Sequence, residues 1–199
     1  MRGSSYGLSL TAELQGNAEW TFARAGRLTA SSFGAALGLS PWQSRQQLWR
    51  ELTGRAAPFI GNEATDWGSE HEPHAKHAFE IDTGILVEPA GFVPFEDWSG
   101  CSPDGYIEGN GLVEFKCPFS QKLYEDIPEH YRAQVIGQLG ITGREFCWFC
   151  CWTPQGFKKW RVDADPKTWN RMVTALKEFW DCVKTDKEPK RAKKFQLGA

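Results

Sequence analysis

The chain has 199 residues, with 23 lysines and arginines, 25 aspartates and glutamates, and a formal net charge of −2. Hydrophobic residues make up 41% and charged residues 24%, which is ordinary for a globular protein and excludes a disordered, collagenous or coiled-coil chain. The near-neutral balance is also unlike the basic domains that are typical of proteins coating nucleic acids. A chain of this length can bury one core of its own.

The charge is uneven along the chain. Residues 184–199 hold six basic groups against two acidic ones, a net of +4, so that the other 183 residues carry −6. We therefore expect a main domain at 1–183 and a basic C-terminal tail at 184–199. Such tails are mostly solvated ends and otherwise arms that touch DNA.

The cellular setting is predicted from what the sequence lacks. No apolar stretch approaches the roughly 20 residues of a membrane span, and the opening MRGSSYGLSL does not resemble a secretory signal. The six cysteines lie within apparent helices and strands, which favours a reduced, cytoplasmic chain.

Two apparent metal clusters are better explained without a metal. The cysteines at 147, 150 and 151 lie in FCWFCCW, which indicates a buried strand rather than a zinc site. On a helix, His71 and His77 would be about 240° apart, so these two and His74 are predicted to form a surface row.

Hydrophobic periodicity and turn residues predict helices before and after a central sheet, hence a single-domain α/β fold. The predicted helices cover 29–37, 44–53, 66–81 and 129–142, and a last helix begins at Asp165 or Pro166 and runs through Trp180. The predicted strands cover 91–95, 101–107 around a turn, 112–117, 146–152 and 158–162.

The segments CSPDG and LVEFKCP carry the clearest chemical signal. Because side chains alternate along a strand, Glu114 and Lys116 project to one side while Val113 and Phe115 project to the other. Asp104, at the end of the preceding strand, could face Glu114 across the hairpin. Two carboxylates and a main-chain carbonyl, that of Phe115, make an oxygen-rich site suited to Mg²⁺. A solvated hairpin edge with an ordinary Glu–Lys pair remains the alternative.

Three further groups of residues have both a functional and an ordinary interpretation. Glu72 lies on a helix beside a buried stripe, where it also suits the helix dipole. Gln134 and Gln138 lie one above the other on a helix, and such a pair is more often at the surface.

Near the start of the sequence, Arg24, Thr29 and Ser31 lead into a predicted helix N-terminus. Free backbone N–H groups, hydroxyls and an arginine can together bind a phosphate. The alternative is a capping serine and a solvated arginine.

The motifs WxxxRxGRLTAS, WGxxxEP, CSPDG, EFKCP and YRAQV occur in this order between Trp20 and Gly143. This series resembles the phage lambda exonuclease and YqaJ-type viral recombinase family. The resemblance implies the PD-(D/E)XK nuclease fold, a central mixed β-sheet flanked by helices. It also implies a Mg²⁺-dependent exonuclease that digests linear double-stranded DNA from 5′ to 3′, releases 5′-phosphorylated nucleotides and leaves 3′ overhangs.

By the same resemblance, two Mg²⁺ ions are expected in each active site, with Mn²⁺ able to substitute. Asp104, Glu114 and the carbonyl of Phe115 would hold one ion, and Glu72 would hold or position the second. Lys116 would orient or activate the attacking water.

The resemblance further implies that Gln134 supports this cluster. Arg24 and Ser31, assisted by Thr29, would receive the 5′-phosphate of the DNA end. The family also implies a homotrimeric ring around the duplex and a single-strand annealing protein as partner. It further implies that the cytoplasm is that of a bacterium or a phage-infected host.

Four more residues are candidate DNA contacts, namely Trp42, Arg45, Tyr131 and Gln138, although a residue such as Trp42 is more often in a core. Two other functions remain open. One is a structure-specific or restriction-type endonuclease of the same superfamily. The other is a non-enzymatic, tryptophan-rich binding module, for example for sugars, in which most of the ten tryptophans would be exposed on one face.

Overall fold

A computed structural model describes residues 18–57, 59–191 and 194–198. The helices of these residues are α1 (Ala18–Arg24), α2 (Phe33–Ala36), α3 (Arg45–Leu52), α4 (Glu63–Thr83), α5 (Glu129–Thr142) and α6 (Pro166–Lys184). The strands are β1 (Leu28–Thr29), β2 (Glu88–Pro89), β3 (Val93–Phe95), β4 (Ser99–Cys101), β5 (Gly105–Ile107), β6 (Gly111–Lys116), β7 (Phe146–Thr153) and β8 (Gly156–Asp163). The predicted α/β class is confirmed.

The strands form two mixed sheets. The larger sheet has the order β2-β5-β6-β7-β8, with β6 and β7 parallel and the other pairs antiparallel. The smaller sheet has the order β1-β4-β3, with β1 parallel to β4. The prediction of one strand region turning through 101–107 is wrong in one respect, because β4 and β5 belong to different sheets. Pro103, which lacks an N–H group for a strand ladder, lies between them.

The predicted helix at 29–37 is largely wrong. Leu28 and Thr29 pair with Ser99 and Gly100 as strand β1, and residues 30–32 form a 3₁₀ turn, so that only α2 is α-helical. Local helix signals were outweighed here by pairing with a strand about 70 residues away. The other predicted helices are present, and α5 has the predicted bounds.

Helices α4 and α5 cover opposite faces of the larger sheet. Ala75 and Phe79 of α4 pack with Val113 and Phe115 of β6. On the other face, residues of α5 pack with Leu112 of β6 and with β7. The alternation along β6 therefore sends the odd-numbered residues to α4 and the even-numbered ones to α5.

The C-terminal segment packs against the domain where the structure describes it. Pro189 is buried, and Phe195 and Leu197 pack against the core cluster that includes Leu37. The Phe195 N–H donates to the Leu37 carbonyl at 3.2 Å, and Lys194 pairs with Glu129. These residues are thus held along the surface, whereas Lys193 and the opening MRGSSYGLSL lie outside the described residues.

The burial of the cysteines and the composition of the helices are relevant to the predicted cytoplasmic location. Five of the six cysteines are buried, Cys182 is half-buried, and all six are free thiols. In the described ranges, no helix is both long enough and apolar enough to cross a membrane.

Two helical glycines give a stability test of the packing. A Cβ at Gly34 would lie 2.6 Å from the His130 Cβ and 3.0 Å from its Cα, so Gly34→Ala should lower the free energy of unfolding by about 1–3 kcal/mol. At Gly68 nothing lies within 4 Å, so Gly68→Ala should raise it by about 0.5–1 kcal/mol through helix propensity. Urea unfolding of both variants measures the two effects, and a stabilised Gly34→Ala variant would contradict the α2–α5 contact.

Candidate active site

The Glu114 carboxylate is buried in the middle of the larger sheet. Its side chain projects from β6 toward α5, and the residue is 1% exposed. Oε1 accepts from Lys116 Nζ and from Gln134 Nε2, both at 2.6 Å, and Oε2 accepts from Gln138 Nε2 at 2.7 Å. Three donors thus offset the cost of burying this charge, and the alternative of a solvated hairpin edge is wrong.

The two glutamines come from successive turns of α5. Gln134 is 6% exposed and Gln138 is fully buried, so the ordinary interpretation of a surface pair is wrong. Gln138 as a DNA contact is also wrong, because a fully buried amide bonded to Glu114 cannot reach a ligand at the surface. The i, i+4 spacing gave the shared helix face, but it could not indicate that this face turns toward β6.

Asp104 lies beside Glu114 across the β5–β6 hairpin, where Gly105 pairs with Val113. Its Oδ2 accepts a hydrogen bond from the Phe115 backbone N–H at 2.6 Å. Burial raises the pKa of Asp104 well above its usual value, and the negative charges of Glu114 and Glu72 raise it further. The carboxylates are therefore close enough to repel one another.

Glu72 joins this group from α4. Burial raises the pKa of Glu72, the charge of Glu114 adds to the effect, and Lys116 partly opposes it. Glu72 is therefore part of the electrostatic environment of Glu114. The helix-dipole interpretation is wrong, because Glu72 lies in the middle of α4 and the dipole effect is confined to the first turn.

Lys116 is the cation of the cluster. Burial by itself lowers the pKa of Lys116, but Glu114, Tyr131 and Asp104 outweigh it, and the pKa is raised overall. The ammonium lies 4.9 Å from the centre of the Tyr131 ring. Lys116 is therefore held protonated between a carboxylate and an aromatic face. Half-buried Tyr131 contacts Lys116 directly, and its predicted contact with DNA remains a prediction.

Arg24 is connected to the loop that carries Asp104. Its guanidinium lies over the Trp20 ring at 4.1 Å, and its Nη1 donates to Ser102 Oγ at 3.3 Å. Trp20 Nε1 donates to the same hydroxyl at 2.8 Å. Burial lowers the pKa of Arg24, although arginine remains charged. The sequence did not predict that Ser102 would accept hydrogen bonds from Trp20 and Arg24, and its place in the CSPDG motif was the available signal.

Thr29 and Ser31 form a separate hydroxyl pair, with their oxygens 3.1 Å apart. Thr29 is buried and Ser31 is exposed. They lie at the 3₁₀ turn that precedes α2 rather than at the N-terminus of the predicted helix. Their role in binding phosphate remains a prediction.

The remaining candidates occupy different environments. Trp42 is 82% exposed, so the alternative of a core position is wrong, and its contact with DNA remains a prediction. The Arg45 guanidinium lies 5.4 Å from the centre of the Phe179 ring on α6, where burial lowers its pKa, so it packs against the domain. All ten tryptophans are described, and Trp42 alone is exposed, which contradicts a binding face built from most of them.

The histidines differ in part from the predicted surface row. His74 and His77 are exposed, but His71 is half-buried and stacks on Trp67 with ring centres 3.7 Å apart. Its Nδ1 lies 2.9 Å from the Trp67 carbonyl oxygen. Across the described ranges, no three His, Cys, Asp or Glu side chains converge closely enough to hold a metal by themselves.

The fold is that of a nuclease superfamily. The chain matches the crystal structure of an alkaline exonuclease, LHK-Exo, from Laribacter hongkongensis with a TM-score of 0.75 and 28% identity, over 85% of this chain and 94% of that one. LHK-Exo in complex with dAMP matches over the same shares with a TM-score of 0.76. A phage-related exonuclease from Haemophilus somnus 129PT shares the fold, with a TM-score of 0.59 at 13% identity over 80% of this chain and 92% of that one. The predicted PD-(D/E)XK nuclease fold is confirmed.

The family follows from the sequence match. The YqaJ-like viral recombinase domain matches residues 19–145, and the chain belongs to this family, as its motifs predicted. The uncharacterized protein YqaJ of Bacillus subtilis (strain 168) is 27% identical over 175 residues, which cover 82% of this chain. The chain spans 55% of the length of that relative.

The burial of Asp104, together with its repulsion by Glu114 and Glu72, predicts a pH-dependent cost in stability. An unfolded aspartate has a pKa of about 3.9, and the pKa of Asp104 is raised in the folded state. Stability is therefore lost as the pH rises from that value through the folded pKa. Asp104→Asn should raise the melting temperature in EDTA at pH 8, by about 2–4 °C for each kcal/mol gained.

The same substitution should have a smaller effect at pH 4, where the wild-type carboxyl is mostly protonated when folded. Melting curves at both pH values make the comparison, with Asp97→Asn as a control at an exposed position. An equal gain at both pH values would contradict an electrostatic origin.

Proposed function

We propose that the protein is a Mg²⁺-dependent exonuclease that digests linear double-stranded DNA from 5′ to 3′. It would release 5′-phosphorylated nucleotides and leave 3′ single-stranded overhangs. The observation that carries the proposal is the buried Glu114 carboxylate, held beside Asp104 and Lys116 in a chain of the YqaJ-like viral recombinase family. The likeness to an alkaline exonuclease over most of both chains supports it.

The donor set fits a divalent cation. Asp104, Glu114 and the carbonyl of Phe115 would hold one Mg²⁺, and Glu72 would hold or position a second. The raised pKa values of Asp104 and Glu72 reflect burial and mutual repulsion, and a cation would relieve that repulsion. One or two carboxylates suffice for Mg²⁺, which usually keeps several waters and binds substrate phosphates. We expect Mn²⁺ to substitute.

When bound, Mg²⁺ neutralises charge on the phosphoryl oxygens and stabilises the leaving 3′-oxygen. The chain itself supplies the positive charge and the orientation. Lys116 carries its proton on Nζ, next to Glu114 Oε1, and can donate hydrogen bonds to an attacking water or to the phosphate. Gln134 donates to the same carboxylate oxygen and so helps to hold Glu114 in place.

Arg24 would explain why the enzyme attacks the end of a DNA strand rather than an internal bond. Its guanidinium is attached through Ser102 to the loop that ends at Asp104, so a phosphate bound by Arg24 would lie near the carboxylates. A terminal 5′-phosphate can occupy such a site without the strand continuing beyond it. Ser31, with Thr29 beside it, would contribute hydroxyl hydrogen bonds.

Membership of the YqaJ-like viral recombinase family supports proposals about assembly, partner and biological process. We propose that three copies form a ring around the duplex, that a single-strand annealing protein receives the 3′ overhang, and that both act in phage-type recombination in the cytoplasm. A ring would retain the duplex without strong general attraction, which suits a chain of net charge −2.

An endonuclease of the same superfamily is the second candidate, because the sheet motifs alone would serve both. Linear duplex DNA with 5′-phosphate ends should be digested in the presence of Mg²⁺, whereas closed circles of the same sequence should persist on agarose gels. Circles cut as fast as linear DNA would overturn the exonuclease assignment.

Single substitutions test the cluster. Asp104→Ala and Lys116→Ala should reduce digestion at least about a hundredfold, because each removes a group that contacts the ion or the reacting atoms. Lys177→Ala on α6, whose Nζ pairs with Glu96, is the matched control and should digest DNA at the wild-type rate. Circular dichroism verifies folding, and a fully active, folded Lys116→Ala variant would exclude Lys116 from the chemistry.

The role of Arg24 is tested with 5′-phosphorylated and 5′-hydroxyl duplexes. The wild type should prefer the phosphorylated end, and Arg24→Ala should lose that preference mainly through a higher KM. Arg27→Ala, which removes bonds to the Glu96 and Ser99 carbonyls, should keep it. A preference that survives Arg24→Ala would place the phosphate elsewhere.

Assembly is tested by light scattering. A homotrimer should give a mass near three times the 22.5 kDa of one chain. A mass near that of one chain would contradict the ring.

A further inference from the structure

The side-chain amide of Gln138 is buried and makes one hydrogen bond, to Glu114. The residue is fully buried, and its Nε2 donates to Glu114 Oε2 at 2.7 Å. Its Oε1 is also buried and, within the part of the chain that the structure describes, has no hydrogen-bond partner. A buried amide with an unsatisfied oxygen is costly. The bond to Glu114 is therefore the evident interaction that offsets this cost.

The hydrogen bonds of Glu114 are distributed unequally between its two oxygens. An ionised carboxylate has about four acceptor positions, two on each oxygen. Oε1 already accepts from Lys116 and Gln134, so both of its positions are used. Oε2 accepts from Gln138, which leaves one position. A cation that binds Glu114 with these bonds intact must use that remaining position.

We infer that Gln138 is a positioning residue that sets the rotation of the Glu114 carboxylate and directs the remaining acceptor position of Oε2 toward the divalent cation. The inference rests on the function proposed above. The terminal torsion of a glutamate is broad, so bonds to one oxygen alone leave the carboxylate free to turn. Gln138 holds the other oxygen and prevents that rotation.

Helix α5 holds Gln138 rigidly enough for this task. A Cβ at Gly137 would lie 2.5 Å from the Phe33 ring, and one at Gly140 would lie 2.3 Å from the Trp169 indole, so α5 is in close contact with both. The Gln138 carbonyl also accepts from Thr142 Oγ1 at 2.7 Å. Precise placement of a metal-binding carboxylate requires such support.

The test uses Gln138→Met in the full-length protein. Methionine keeps much of the side-chain volume and removes the donor. Calorimetric titration with Mg²⁺ in the absence of DNA should show about tenfold or more weaker binding, the usual effect of losing a bond to a metal-binding carboxylate. On 5′-phosphorylated linear duplex, kcat should fall while KM for DNA stays at the wild-type value, because Gln138 does not reach the surface.

Val135→Ala is the matched control on the same helix. Val135 is fully buried and packs with Leu112 and Phe149, so its truncation should lower the melting temperature. Mg²⁺ affinity should remain at the wild-type value. If Gln138→Met does not fold, Gln138→Asn replaces it, since the shorter amide cannot reach Oε2 and should weaken Mg²⁺ binding in the same way.

Wild-type Mg²⁺ affinity in whichever Gln138 variant folds would overturn the inference, as would an equal loss of affinity in Val135→Ala. Both outcomes require a wild type that binds Mg²⁺ and digests linear DNA. A wild type that does neither would instead overturn the proposed function, so the two failures are distinguishable.

Discussion

The rest of the structure depends on the burial of one charged group, the Glu114 carboxylate, in the middle of a sheet face. Burying a carboxylate without hydrogen-bonding partners is costly in free energy. Its oxygens are therefore met by donors from two elements, Lys116 of β6 and the two glutamines of α5. The two glutamines reach Glu114 because their face of α5 turns toward β6, and Val135 and Leu139 of the same helix pack against the sheet as well.

The burial of Glu114 also places its charge close to other carboxylates, which is electrostatically unfavourable. Burial raises the pKa values of Asp104 and Glu72, the negative charge of Glu114 raises them further, and Lys116 partly opposes the effect. An active site often retains unfavourable charges that a more stable protein would lose. A divalent cation would remove the cost. The net negative charge of residues 1–183 thus agrees with the proposed exonuclease, because placed residues and ions can bind phosphate without a general basic surface.

Much of this was predictable because it is encoded over short distances in the chain. The alternation along LVEFKC placed Glu114 and Lys116 on one side of β6, and the helical period gave α5 its bounds. The order of five short motifs sufficed to predict the family and the nuclease fold, since each motif joins residues only a few positions apart.

Tertiary contacts decided the rest. Gln138 was expected at the surface and is buried against a strand 24 residues away, while Trp42 was expected in the core and is exposed. The connection of Arg24 to the Asp104 loop spans 78 residues. The sequence alone thus determined the local elements, the family and the chemical types of the site residues. Which side chains meet was decided by the packing of α5 against the larger sheet and by the hydrogen bonds of α1 to the loop between β4 and β5. Burial and hydrogen bonding between distant residues leave no periodic signal in the chain.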